Sequence, residues 1–351
     1  MLENLRMQVS TLLSQLDFGT FWPGFTQVPF ALYDDERVLL ESGMIPWDQR
    51  FLGNTAISWD DGFLAIWKPE DGATAEELTA GLVHEMFHAF QMKRGEMRFP
   101  QDLHALSYPE NRENLSLKLE ENRLLAESFG LPPEKQRTTL AEIASIRRMR
   151  QEILGDYFNY ELLCETVEGM AEYVGMRTLF QISEPLYILK LEKYRARLQN
   201  GEFLFDPRRC SYYSGALLLL ACGNCSLDFC HEVGKETRPV FDLIADRLPV
   251  VPATRPREDM SDRAKRFFDK KQVRIDAFFQ RAELAGEGEF RICGYDPMNM
   301  ERRGDHVLCS HFVMLEDPSG SRFIEGPVGL LLYAGSDDRV AAYYIKDKKA
   351  I

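Results

Sequence analysis

In this 351-residue chain the strongest chemical signal is His84-Glu85-Met86-Phe87-His88, an H-E-x-x-H motif. Residues four apart on an α-helix lie one above the other on the same face. His84 and His88 can therefore offer two imidazole nitrogens to one metal ion. Glu85 lies beside that face, within reach of a water molecule that the ion would hold. Zinc suits two imidazoles, a carboxylate and an open position for water. The chain has only six histidines, so chance seldom produces this spacing.

Such a motif must sit inside a helix, and its flanks supply one. Thr74 and Glu77 form a T-x-x-E capping box. Residues 75–93 contain no Pro, and only Gly81 interrupts good helix formers. Leu78, Leu82, Met86 and Phe90 recur at helical spacing, which makes one face core. A catalytic zinc also needs a third protein ligand. The extended form H-E-x-x-H-x-x-G-x-x-H is absent, because Gln91 and Arg94 occupy its last two positions. The best source of a third ligand is a second helical run, residues 156–179. There Glu165, Glu168 and Glu172 share one stripe beside the small Gly169 and Ala171, which permit a close helix contact. A carboxylate stripe against a partner helix is unfavourable unless positive charge meets it, and a metal would supply that charge.

H-E-x-x-H followed by the E-G-x-A-x-Y of residues 168–173 resembles the gluzincin group of zinc metallopeptidases, which share a thermolysin-like ligand plan. The resemblance covers roughly residues 25–220. The V-H-E-x-x-H-x-F-Q stretch at 83–91 also resembles a helix of uncharacterised bacterial proteins. The resemblance implies an α+β, zincin-like fold, with a small N-terminal sheet on a mostly helical core and a C-terminal β region. It implies that His84, His88 and Glu168 bind one zinc ion per chain, that Glu172 hydrogen-bonds a ligand imidazole, and that Glu85 is the general base of peptide hydrolysis. The chain departs from thermolysin in the spacing of His88 and Glu168 (168 − 88 = 80) and in having Glu rather than Asp at 172. Glu165 stays open as an alternative third ligand. Enzymes of this group place a Tyr or His oxyanion donor downstream of the third ligand. Tyr213 is the expected donor, with Tyr212 and His231 in reserve. The fold also implies an edge strand that binds extended peptide. Residues 62–67, with Phe63, Leu64 and Ala65, are the expected edge.

The remaining elements follow from local pattern. Residues 27–33 and 37–40 read as strands about an acidic turn, and residues 55–59 and 62–67 as a second hairpin. Helices at 115–129 and 133–154 fill the gap between the two motifs as padding. A Pro-rich stretch at 249–256 divides a catalytic domain, residues 1–250, from residues 251–351. The latter begin with a basic amphipathic helix at 260–284 and end in an all-β region. His306 and His311 there read as strand residues, not ligands. Cys222, Cys225 and Cys230 form a C-x-x-C-x4-C string beside His231. No second C-x-x-C completes a zinc ribbon, so they read as structural cysteines.

Composition narrows the class. Hydrophobic residues make up 45% and charged residues 28%, as in ordinary globular proteins. A net charge of −13 argues against nucleic acid as partner. No run suits a membrane span, and the start lacks a signal-peptide pattern. With seven cysteines and no such signal, a cytoplasmic protein with reduced thiols is expected. The expected partner is a peptide or protein substrate.

Two other readings compete. A catalytically silent zincin-like protein could bind or regulate a partner, although the intact Glu85 argues against it. Glu85 to His88 is also an E-x-x-H, as in di-iron carboxylate proteins. That site needs two such motifs on a four-helix bundle, and the chain has one, with strands around it.

Overall fold

The computed structural model of the chain describes residues 2–346. Helix α1 (Leu2–Leu13) is followed by β1 (Phe30–Tyr33), β2 (Arg37–Leu40), β3 (Gly43–Pro46), β4 (Thr55–Trp59) and β5 (Gly62–Trp67). Between β1 and β2 the Asp34 carboxylate accepts from the backbone N–H groups of Glu36 and Arg37, which closes the turn. The five strands form one sheet in the order β3-β2-β1-β5-β4. β1 and β5 run parallel and the other neighbours antiparallel.

This order corrects the expected edge. Phe30, Ala31 and Leu32 pair with Ala65, Ile66 and Trp67, which joins the two hairpins and places β5 inside the sheet. Phe63, Leu64 and Ala65 therefore lie on an interior strand, and β3 and β4 are the edges. Leu64, Ala65 and Ile66 are all buried. An unbroken apolar run is the mark of a strand covered on both faces.

Helix α2 (Ala75–Lys93) carries the motif. Thr74 accepts from the Glu77 N–H and the Glu77 carboxylate accepts from the Thr74 N–H, so the capping box is complete. Leu78, Leu82, Met86 and Phe90 are buried. Trp22 and Phe25 pack edge-on against Phe87 on the same helix.

The helices that follow are α3 (Asp102–Ala105), α4 (Arg112–Ser128), α5 (Pro133–Leu154), α6 (Asp156–Cys164), α7 (Met170–Ile182), α8 (Glu184–Gln199), α9 (Pro207–Asn224) and α10 (Val240–Ala245). A π-helical turn, Glu165–Gly169, joins α6 to α7. Three glycines set the packing here. A Cβ on Gly215 of α9 would lie 2.7 Å from the Gly169 Cα, so only a glycine pair permits this contact. A Cβ on Gly175 would lie 3.1 Å from the Ala80 carbonyl oxygen, which lets α7 settle on α2.

The segments expected as padding have a definite task. Arg147 of α5 donates to both oxygens of Glu165 at 2.7 and 2.8 Å and to Glu121 of α4 at 3.0 and 2.8 Å. Arg150 pairs with Glu121 at 2.8 Å and also with Glu161. Lys118 lies 3.2 Å from Glu121 and 3.1 Å from Glu161. These three cations and three carboxylates are all buried, and their charges balance. Burial of ions on this scale is tolerated only when every charge is matched.

The chain divides into two compact units. The first holds the residues up to Pro100, Lys118–Glu152 and Glu161–Arg255; the second holds Gln101–Leu117, Ile153–Tyr160 and the chain from Pro256 onward. The second contains α11 (Ser261–Phe279) and an antiparallel sheet of β6 (Glu283–Tyr295), β7 (Met300–Arg303), β8 (His306–Cys309), β9 (Phe312–Asp317), β10 (Gly320–Glu325), β11 (Val328–Leu332) and β12 (Arg339–Ile345). Its order is β10-β9-β6-β12-β11-β8-β7. Helix α11 stops short of residue 284 because Glu283 and Leu284 pair with Ile345 and Tyr344 of β12. His306 rests against Phe279, and His311 bonds Asp296 at 2.7 Å. The architecture is α+β. No helix among the described residues is long and apolar enough to cross a membrane.

Candidate metal centre

His84 and His88 stand one turn apart on α2 with their rings nearly perpendicular and their Nε2 atoms 3.1 Å apart. Glu168 joins them from the π turn. Its Oε2 lies 3.1 Å from His88 Nε2 and 3.8 Å from His84 Nε2. The π turn explains why Glu168 arrives and Glu165 does not. In an unbroken α-helix the two would share a stripe. The widened turn rotates them apart. Glu165 faces Arg147 and accepts from the Ser214 hydroxyl at 2.5 Å. Glu168 and Glu172 face α2.

The outer nitrogens of both imidazoles are fixed. A carboxylate only accepts, so His84 Nδ1–H donates to Glu172 Oε2 at 3.0 Å. For His88 the assignment runs through Gln91. The Gln91 amide donates to the Val167 carbonyl at 3.2 Å, which turns its Oε1 toward His88 Nδ1 at 2.8 Å. His88 Nδ1 must then be the donor. Both rings thus direct Nε2 inward, where the neutral form carries a lone pair. Three acceptor atoms from two helices meet there, and positive charge between them is required. Burial alone would lower His84, yet the carboxylates of Glu168, 3.8 Å away, and Glu172, hydrogen-bonded to it, lift its pKa to about 10. Burial would raise the Glu168 carboxyl, but His88 foremost, then His84, hold it well below its ordinary range, with Arg208 adding to them.

Glu85 is buried beside the two histidines, and one carboxylate oxygen of it and one ring nitrogen of each histidine lie within 4.8 Å of one another. Burial raises its pKa to about 7, with His84 and His88 opposing and Glu168 and Glu172 assisting. A carboxylate in that state can both take and give a proton near neutrality. Behind the site, Glu172 Oε1 accepts from the Tyr194 hydroxyl and from Lys190 Nζ, each at 2.6 Å. Burial would raise Glu172; Lys190 and His84 keep it low.

Tyr213 is not brought to this cluster. Its hydroxyl accepts from Arg197 at 2.6 Å, and its ring lies between Tyr194 and Phe203. Tyr212 takes the position expected of it instead. Its ring stacks parallel to His84 at 5.9 Å, and the Glu168 carboxylate acts on its hydroxyl. Burial, and then Glu168, push the Tyr212 pKa upward, so the hydroxyl keeps its proton. His231 is also elsewhere: Arg98 bonds its Nε2 at 2.8 Å and the Phe229 carbonyl lies 3.2 Å from its Nδ1. Cys222, Cys225 and Cys230 are free thiols, the first two buried, and burial raises the pKa of all three.

Four contributors were not singled out from the sequence: Gln91, Lys190, Tyr194 and Arg208. Arg208 Nη2 donates to Glu168 Oε1 at 2.5 Å. A local signal existed for it. Asp206-Pro207 is a cap followed by Pro at the first helical position, and Asp206 does cap α9 by accepting from the Arg209 N–H. A helix starting there puts Arg208, Tyr212 and Gly215 on one face at i, i+4 and i+7, with Tyr213 off it. Compared with protein-family models, curated proteins and solved structures, the chain finds no match, so the meaning of the site rests on its own geometry.

Proposed function

We propose that this protein is a zinc-dependent hydrolase of peptide bonds whose first unit is zincin-like. The observation that carries this reading is the convergence of His84 Nε2, His88 Nε2 and Glu168 Oε2, separated by 3.1, 3.1 and 3.8 Å. Donors around a tetrahedral zinc at about 2.0–2.1 Å lie roughly 3.3 Å apart, so the donor set and its spacing fit that ion. Three protein donors with a fourth position open are the pattern of catalytic zinc. Glu172 and Gln91, bonded to the outer nitrogens, are the supports that ligand imidazoles need.

Zinc, when bound, makes water a nucleophile at neutral pH and polarises a carbonyl. Glu85 takes a proton from the attacking water and passes it to the leaving amine. The Tyr212 hydroxyl, held beside Glu168, donates to the oxyanion. Among the described residues strand β4 pairs with β5 alone, and its other edge suits strand addition by an extended peptide.

Metal analysis and a peptide-library cleavage assay test the proposal together. The wild type should carry one zinc per chain and cleave peptides. His88→Ala should lose the metal. Glu85→Gln should keep zinc and lose turnover by about 10²–10⁴-fold. A Glu85→Gln protein that loses its metal would remove the base assignment; a wild type that takes up no zinc would end the reading.

A further inference from the structure

Glu168 offers two oxygens, and they have different partners. Oε2 faces both imidazole nitrogens, whereas Oε1 accepts from Arg208 Nη2 at 2.5 Å. Arg208 is delivered by the start of α9, where Asp206 caps the helix and Pro207 opens it. The same helix face grips the π turn through the Gly215–Gly169 contact, so the guanidinium and the carboxylate are fixed by one packing event. Both side chains are largely withdrawn from solvent, at 16% and 6% exposure, so water competes little for the bond.

We propose that Arg208 is a positioning residue that restricts Glu168 to ligation through one oxygen. The inference rests on the zinc reading above. A free carboxylate can bind a cation through one or both oxygens. A charge-assisted hydrogen bond from guanidinium is strong enough to occupy one of them. Its positive charge also repels a cation from the Oε1 side. With Oε1 held, the protein supplies three donor atoms and the fourth position stays open to water. With Oε1 released, Glu168 would present both oxygens and crowd that position. Arg208 would then act on coordination number, not on the substrate.

Cobalt(II) in place of zinc makes coordination number visible, because four-coordinate cobalt absorbs more strongly in the visible than five-coordinate cobalt. The full-length wild type should bind one cobalt with the intense four-coordinate spectrum. Arg208→Met should still bind one cobalt, with weakened and shifted bands, and Arg208→Lys should restore most of the intensity. Identical spectra for Arg208→Met and wild type would overturn the proposal. If Arg208→Met does not fold, X-ray absorption or a crystal structure of the cobalt-loaded wild type decides it: Glu168 bonded through Oε2 alone supports the assignment, and bonding through both oxygens refutes it. A wild type that binds neither cobalt nor zinc is a separate result, which removes the zinc reading itself.

Discussion

Tyr212 and Tyr213 are one residue and about 100° apart around α9, and this angle gives them different work. Tyr212 stacks on His84, where the Glu168 carboxylate acts on its hydroxyl. Tyr213 serves as a hydrogen-bond acceptor for Arg197 in an aromatic stack. Removing the Tyr212 hydroxyl should therefore affect chemistry and not the metal. Tyr212→Phe should lower kcat by about 10²–10³-fold at unchanged zinc content, as loss of a single oxyanion donor does. Tyr213→Phe should stay within a few-fold of wild type. Steady-state kinetics beside metal analysis checks this, and the reverse ranking of the two variants would return the role to Tyr213.

Among the elements, the π turn and α9 decide which carboxylate reaches the motif helix. The glycine pair at 169 and 215 holds them in contact. Gly215→Ala would set a Cβ 2.7 Å from the Gly169 Cα. The resulting overpacking should cost about 1–3 kcal/mol in a denaturant melt. Because the displaced turn carries Glu168, zinc affinity should fall with stability; a destabilised variant of unchanged affinity would separate the packing from the site. The extent to which these elements can be read from sequence follows the range of the forces involved. Helix α2 spans Ala75–Lys93, the span its capping box and apolar spacing predict, because caps and periodicity are local. The start of α9 is local too, written in Asp206-Pro207, and a helix begun there sets Tyr212, not Tyr213, on the face of Arg208 and Gly215. The π turn has no such signal. It depends on Arg147, Ser214 and Gly215, which lie outside its own segment. The position of β5 is equally non-local, since only its parallel partner β1 makes it interior.

At the scale of the molecule, the six buried charges around Glu121 make the first unit sensitive to acid. Burial opposes ionisation of Glu121, yet Arg147, Lys118 and Arg150 hold its pKa far below the ordinary 4.5. A carboxyl with a depressed folded pKa contributes stability that is fully present above its unfolded value and fades as pH falls toward the folded one. The contribution of this cluster to the unfolding free energy should therefore be steady near neutrality and decline below about pH 4.5, because the unfolded chain takes up protons first. Arg147→Met should lose about 3–5 kcal/mol at pH 7, since it leaves carboxylates buried without their partner. It should also show a shallower acid slope. Denaturant titrations across pH measure both, and an unaltered slope would mean that the acid sensitivity originates elsewhere.

Gln91 has no charge, yet its amide reads a backbone. One end is tied to the Val167 carbonyl inside the π turn and the other to His88. The tautomer of an imidazole on α2 thus depends on the conformation of a different helix. Were the turn to relax, Glu168 would swing away and the amide would lose the carbonyl that orients it. His88 and Glu168 would then be released together. Both donors thus depend on α2 and the π turn being seated against each other, Glu168 by its place in the turn and His88 through Gln91.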